Sequence, residues 1–120
     1  MPALLKAFID RAFLPKFAFK YRKGSAFQDK LLKGKTARII TTMDAPTLYY
    51  QLMYRSPGTN ALKRATLHFC GVKPVHVTPI GRMRFLDKAA RTKWLGKVLK
   101  LGTRDSSKIK QNVPKPVIQP

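Results

Sequence analysis

The sequence predicts an α/β domain built on a parallel sheet, and an incomplete one. Helical and strand-like segments alternate in the order helix, strand, helix, strand, helix, which implies parallel strands joined by right-handed crossovers. Such a three-layer arrangement would hold two strands and three helices, yet roughly three or more strands are needed for independent stability. The composition shifts after Gly102, dividing the chain into a domain at 1–102 and a basic, proline-containing tail at 103–120 that reads as disordered.

The first helix is expected over residues 2–14. Leu4, Leu5, Phe8, Ile9, Ala12 and Phe13 recur at helical spacing, with Lys6, Asp10 and Arg11 opposite. Pro2 suits a first turn and Pro15 a stop. A basic stretch punctuated by Phe17, Phe19, Tyr21 and Phe27 then reads as a loop to Lys35. Residues 36–42, Thr-Ala-Arg-Ile-Ile-Thr-Thr, are β-branched and bounded by Gly34 and by Asp44-Ala-Pro46, which predicts a strand. A polar turn, the tyrosines Tyr49, Tyr50 and Tyr54, and a loop at 56–59 follow.

Asn60 is a candidate cap for a second helix over 61–70, with Gly71 ending it in a left-handed conformation. Residues 72–78 alternate as a second strand, and Pro74 and Pro79 suit an edge position. Asp87 is placed to cap a last helix that buries Ala90, Trp94, Val98 and Leu101 and ends at Gly102. Phe8, Phe13, Phe69 and Trp94 all fall on helix faces expected in the core.

Of the 120 residues, 25 are Lys or Arg against five Asp and no Glu, a net charge of +20. That balance attracts polyanions: nucleic acid, an acidic membrane surface or a phosphorylated cofactor. The single cysteine, Cys70, allows no disulfide within the chain and fits a cytoplasmic setting. No apolar run reaches the ~18–20 residues of a transmembrane segment, and residues 1–19 do not read as a signal peptide.

Most enzyme motifs are missing. With two histidines and no Glu, and no Cys-x-x-Cys, a protein-built metal site is not expected. His68 and Cys70 lie two apart, on different faces of a helix, which is poor geometry for nucleophilic catalysis. The strand at 36–42 ends in two hydroxyls, Thr41 and Thr42, and then Met43-Asp44. In parallel sheets ligands sit beyond the carboxyl ends of strands, where N–H groups and hydroxyls can bond a polar ring edge. A capped strand end with no ligand remains the other reading of these threonines. The basic loop with interleaved rings is either solvated or a nucleic-acid surface, since bases stack on aromatics beside cations.

Met-Pro-Ala-Leu-Leu-Lys-Ala-Phe-Ile-Asp-Arg-Ala-Phe at 1–13, Phe-Ala-Phe-Lys-Tyr at 17–21, Ile-Ile-Thr-Thr-Met-Asp at 39–44 and Leu-His-Phe-Cys-Gly at 67–71 occur in that order. Together with Trp94-Leu95 they resemble the C-terminal half of the flavodoxin-like NAD(P)H:quinone oxidoreductases, over roughly residues 1–101. The resemblance implies a homodimer binding FMN or FAD and passing hydride from NAD(P)H to a quinone or similar acceptor. It places Thr41, Thr42, Met43 and Asp44 beside the flavin ring and gives Tyr49 a catalytic position at the flavin's polar edge. Phe19 and Tyr21 match an aromatic pair covering the substrate pocket across the dimer. Family members also carry three earlier strands, a phosphate-binding loop and a Trp-bearing flavin loop, so the chain is expected to be a truncated form. Where some members have Gly-Gly after the threonines, this chain has Met43-Asp44. The alternative expectation is a catalytically inactive small basic protein that binds nucleic acid or an acidic partner.

Overall fold

The computed structural model describes residues 1–112. The chain divides into two units, one over residues 1–83 and one from residue 84 onward.

In the first unit, helix α1 (Ala3–Ala12) forms as the spacing predicts, with Lys6 donating to Asp10 one turn on at 2.6 Å. None of its residues is buried, and Leu4 and Phe8 are 87% and 61% exposed. Phe8 is therefore not a core residue: helical periodicity creates an apolar face but does not supply its cover. Phe13 and Phe69 are half-buried.

The stretch expected as a loop contains an antiparallel hairpin, β1 (Phe19–Tyr21) with β2 (Gln28–Lys30). Each strand has only three residues, too few for alternation to register. Arg22 clamps it through Asp29, its Nε donating to Oδ1 at 2.6 Å.

Strand β3 (Ala37–Thr42) lies where the β-branched run predicts. It pairs in parallel with β4 (Val75–Ile80), in register from Ala37 opposite Val75 to Thr42 opposite Ile80. β4 is shifted toward Ile80 from the expected 72–78, and it contains Pro79. The Ala37 and Met43 N–H groups donate to the Pro74 and Ile80 carbonyls. In a parallel ladder this turns the even-numbered residues of β4 toward β3, so the nitrogen of Pro79 faces the open edge. The proline costs the ladder nothing.

Between the strands, α2 (Thr47–Met53) takes up Tyr49 and Tyr50, which sequence reading left outside any helix. A short helix α3 (Pro57–Asn60) runs directly into a π-helix (Ala61–His68). The helix expected at 61–70 thus starts earlier, at Pro57, whose fixed φ suits a first turn. Asn60 is not its cap: it is already helical, and its side chain donates to the Arg55 carbonyl at 2.6 Å. Gly71 ends the segment at φ +98°, as expected, its N–H donating to His68. The core is Ile39, Val72 and Val75, flanked by Leu32, Ala37, Leu62, Leu67 and Val77.

In the second unit, α4 (Lys88–Asn112) begins where expected, Asp87 Oδ1 accepting from the Ala90 N–H at 2.7 Å. Ala90, Trp94, Val98 and Leu101 form its half-buried stripe, while Leu95 and Leu99 are exposed. The helix does not stop at Gly102 but continues ten residues further. A helical Gly costs only about 1 kcal/mol against Ala. Thr103 and Ser107 turn their hydroxyls onto the helix's own carbonyls, at Leu99 and Arg104. Residues 103–112 of the expected tail are therefore helical, and 113–120 lie outside the described residues. Among the described residues, no helix is long and apolar enough to cross a membrane.

Candidate functional site at the strand ends

Parallel pairing brings the carboxyl ends of β3 and β4 together, Thr42 beside Ile80. The chain leaving β3 is then tied to the chain leaving β4. Met43 N–H donates to the Ile80 carbonyl at 2.9 Å, and its carbonyl accepts from Met83 at 3.0 Å. Arg82 N–H donates to the Ala45 carbonyl at 3.3 Å. Gly81 makes this closure possible: a Cβ there would lie 2.5 Å from Thr47 Oγ1, 2.7 Å from Thr47 N and 2.9 Å from Ala45 O. Sequence reading passed over Gly81, although a glycine directly after a strand is a signal of close backbone approach.

The closure decides which groups of the turn can meet a ligand. The N–H of Met43 is spent on Ile80, so Met43 contributes only a half-buried side chain. Successive side chains on a strand face opposite ways. Thr42 is exposed, whereas the Thr41 hydroxyl is buried without a hydrogen-bond partner among the described residues. An unpaired buried hydroxyl costs about 1–3 kcal/mol, and native structures rarely leave one without a reason. Asp44 is exposed at the crest.

Tyr49 lies on α2, whose first residue, Thr47, packs against Gly81, so helix and turn share one end of the sheet. Its ring meets Tyr54 edge-on at 5.7 Å. Hydrogen bonding with Tyr54 pushes its phenol above the ordinary range. Phe19 and Tyr21 stand elsewhere. Phe19 packs edge-on against Tyr21 at 5.2 Å and Phe69 at 5.1 Å. Their hairpin is followed by Leu32, whose N–H donates to the Cys70 carbonyl, near the opposite end of β4. The chain therefore gathers Thr41, Thr42, Met43, Asp44 and Tyr49 at the carboxyl ends of β3 and β4, and carries Phe19 and Tyr21 on the separate β1–β2 hairpin.

A hydroxyl both donates and accepts, and a protonated phenol can donate. Such groups can hydrogen-bond a flat heterocycle whose polar edge alternates carbonyl and N–H. Among the described residues, the Thr41 hydroxyl is the buried side-chain group with hydrogen-bonding capacity to spare. Cys70 offers no competing chemistry, being 2% exposed with its thiol pKa pushed up by burial.

The family described as "Flavodoxin-like fold" matches residues 1–100. No curated protein matches the chain. The crystal structure of Smu.1420 from Streptococcus mutans UA159 is similar to it, at 35% sequence identity and a TM-score of 0.73. The match covers 84% of this chain and 52% of that one, so the chain spans about half the length of the solved structure.

Proposed function

Since this chain belongs to the flavodoxin-like fold family, we propose that it is part of a flavin-dependent NAD(P)H:quinone oxidoreductase. The observation that carries the reading is the unpartnered Thr41 hydroxyl beside the exposed Thr42, at the carboxyl end of a parallel strand. In this reading Thr41 and Thr42 bond the polar edge of FMN or FAD. Met43 lends an apolar contact, Asp44 borders the ring, and Tyr49 donates a hydrogen bond from α2. Flavin, when bound, would supply two-electron chemistry between NAD(P)H and a quinone, which takes up a proton as well as the hydride. The chain's own part is to orient the ring and to stabilise charge developing on its edge.

Phe19 and Tyr21 lie on the separate β1–β2 hairpin, away from the turn, and in this reading they cover the pocket of a second copy. A homodimer is therefore part of the proposal, as is a cytoplasmic setting in which Cys70 stays reduced.

The test is NADH and NADPH oxidation by the full chain with a quinone and added FMN or FAD. Thr42→Val keeps shape and branching, so a loss reports on the hydroxyl. Turnover per bound flavin should fall about tenfold to a hundredfold in Thr42→Val and in Tyr49→Phe. Lys108→Ala, on α4, should leave it unchanged. Equal turnover in wild type and both site variants would overturn the assignment.

A further inference from the structure

The end of the sheet away from the threonine turn has a different chemistry. An open depression of about 540 Å³ at the start of β4 is lined by Lys63, His68, Lys73, Pro74 and Val75. Lys30 from β2 and Arg64 from the π-helix also lie close enough to act on His68. Partial burial and these four cations together push the His68 pKa below its ordinary range. None of the four has a carboxylate partner among the described residues. Asp10 and Asp29 are engaged by Lys6 and Arg22, and Asp87 caps α4. Such a cluster of cations attracts an external polyanion.

The hairpin adjoins this depression and carries exposed rings. Phe19 touches Phe69, the neighbour of His68, and a Cβ on Gly71 would sit 2.9 Å from the Lys30 side chain. Phe19 and Tyr21 alternate onto one face of β1, and Lys30 is the cross-strand partner of Phe19. Tyr21 is 68% exposed, so its ring offers a free face beside the cations on which a base can stack.

We propose that the hairpin and the adjoining depression form a binding surface for single-stranded nucleic acid. The phosphodiester backbone runs over Lys30, Lys63, Arg64 and Lys73, and a base stacks on Tyr21, on the same hairpin face as Lys30. An acidic peptide would satisfy the cations but leave the ring uncovered. A duplex would satisfy the cations while keeping its base faces out of reach. Single strands offer both at once. The six residues of β4 separate this surface from the turn by roughly 3.3 Å per residue, so binding needs neither flavin nor NAD(P)H, and at Tyr21 it competes with the proposed dimer contact.

Fluorescence anisotropy of a labelled oligothymidylate with the full chain tests it across a salt series, with a duplex of equal length and a poly-glutamate peptide as competitors. The single strand should bind tightest. Lys63→Ala with Lys73→Ala should lower the slope of log affinity against log salt by about 1.4, two lost contacts at ~0.7 each. The charge-matched pair Lys100→Ala with Lys108→Ala, on α4, should leave the slope unchanged, and Lys63→Arg with Lys73→Arg should bind as wild type. Tyr21→Ala should weaken binding about tenfold at an unchanged slope. Far-UV circular dichroism confirms that each variant is folded. The proposal is overturned if the α4 pair lowers the slope equally, if removing the Tyr21 ring has no effect, or if duplex or peptide competes as well as the single strand.

Discussion

The Thr41 backbone belongs to β3, and its hydroxyl is buried with no hydrogen-bond partner among the described residues. If that hydroxyl is kept for a ligand, removing it should help the empty protein and harm the loaded one. Thr41→Val is nearly isosteric and β-branched, so the strand survives the change. Urea unfolding without flavin should show the variant more stable by about 1 kcal/mol, since an unsatisfied buried polar group is replaced by a methyl. Flavin affinity should fall at the same time. A variant less stable than wild type would mean that the hydroxyl has a protein partner, and the site would lose its main support. Gly81 works in the opposite sense, giving up a side chain so that the strand end and the turn can touch.

The strand pair and the first helix show what burial does to similar sequence patterns. Ile39 is 7% exposed at the centre of the core, whereas Phe8, on an equally regular apolar face, is 61% exposed. Ile39→Ala should cost about 2–5 kcal/mol in urea unfolding, and Phe8→Ala less than about 0.5 kcal/mol. A large loss for Phe8→Ala would mean that α1 is covered in solution. β3 and its turn were legible in the sequence because a β-branched run between Gly34 and Pro46 has few other conformations available. α1, the Asp87 cap and Gly71 were legible for similarly local reasons. The hairpin was not, because three-residue strands carry too little pattern. Nor was α2, whose tyrosines favour strands as readily as helices. The shift of β4 onto Pro79 was hidden because only the pairing direction shows that proline's nitrogen to be harmless. In the site itself, the threonines could be read from sequence, but the spent N–H of Met43 and the role of Gly81 depend on tertiary contacts.

At the scale of the whole molecule, β4 separates two surfaces of contrasting character. One end offers hydroxyls, a phenol and a glycine-tightened turn; the other gathers lysines, an arginine and exposed rings. A net charge of +20 complicates any assay with a phosphorylated cofactor, because FMN and FAD are themselves anions that the basic end attracts. Riboflavin has the same ring without phosphate, so it separates ring recognition from charge. The most direct test of the central claim is therefore a titration of riboflavin into ¹⁵N-labelled chain, followed residue by residue by NMR. Saturable shifts are expected at Thr41, Thr42, Met43 and Asp44 and in α2 around Tyr49, weakened by Thr42→Val, with Lys63 and Lys73 unmoved. Riboflavin shifts confined to the basic end, or none at the turn up to the solubility limit, would contradict it.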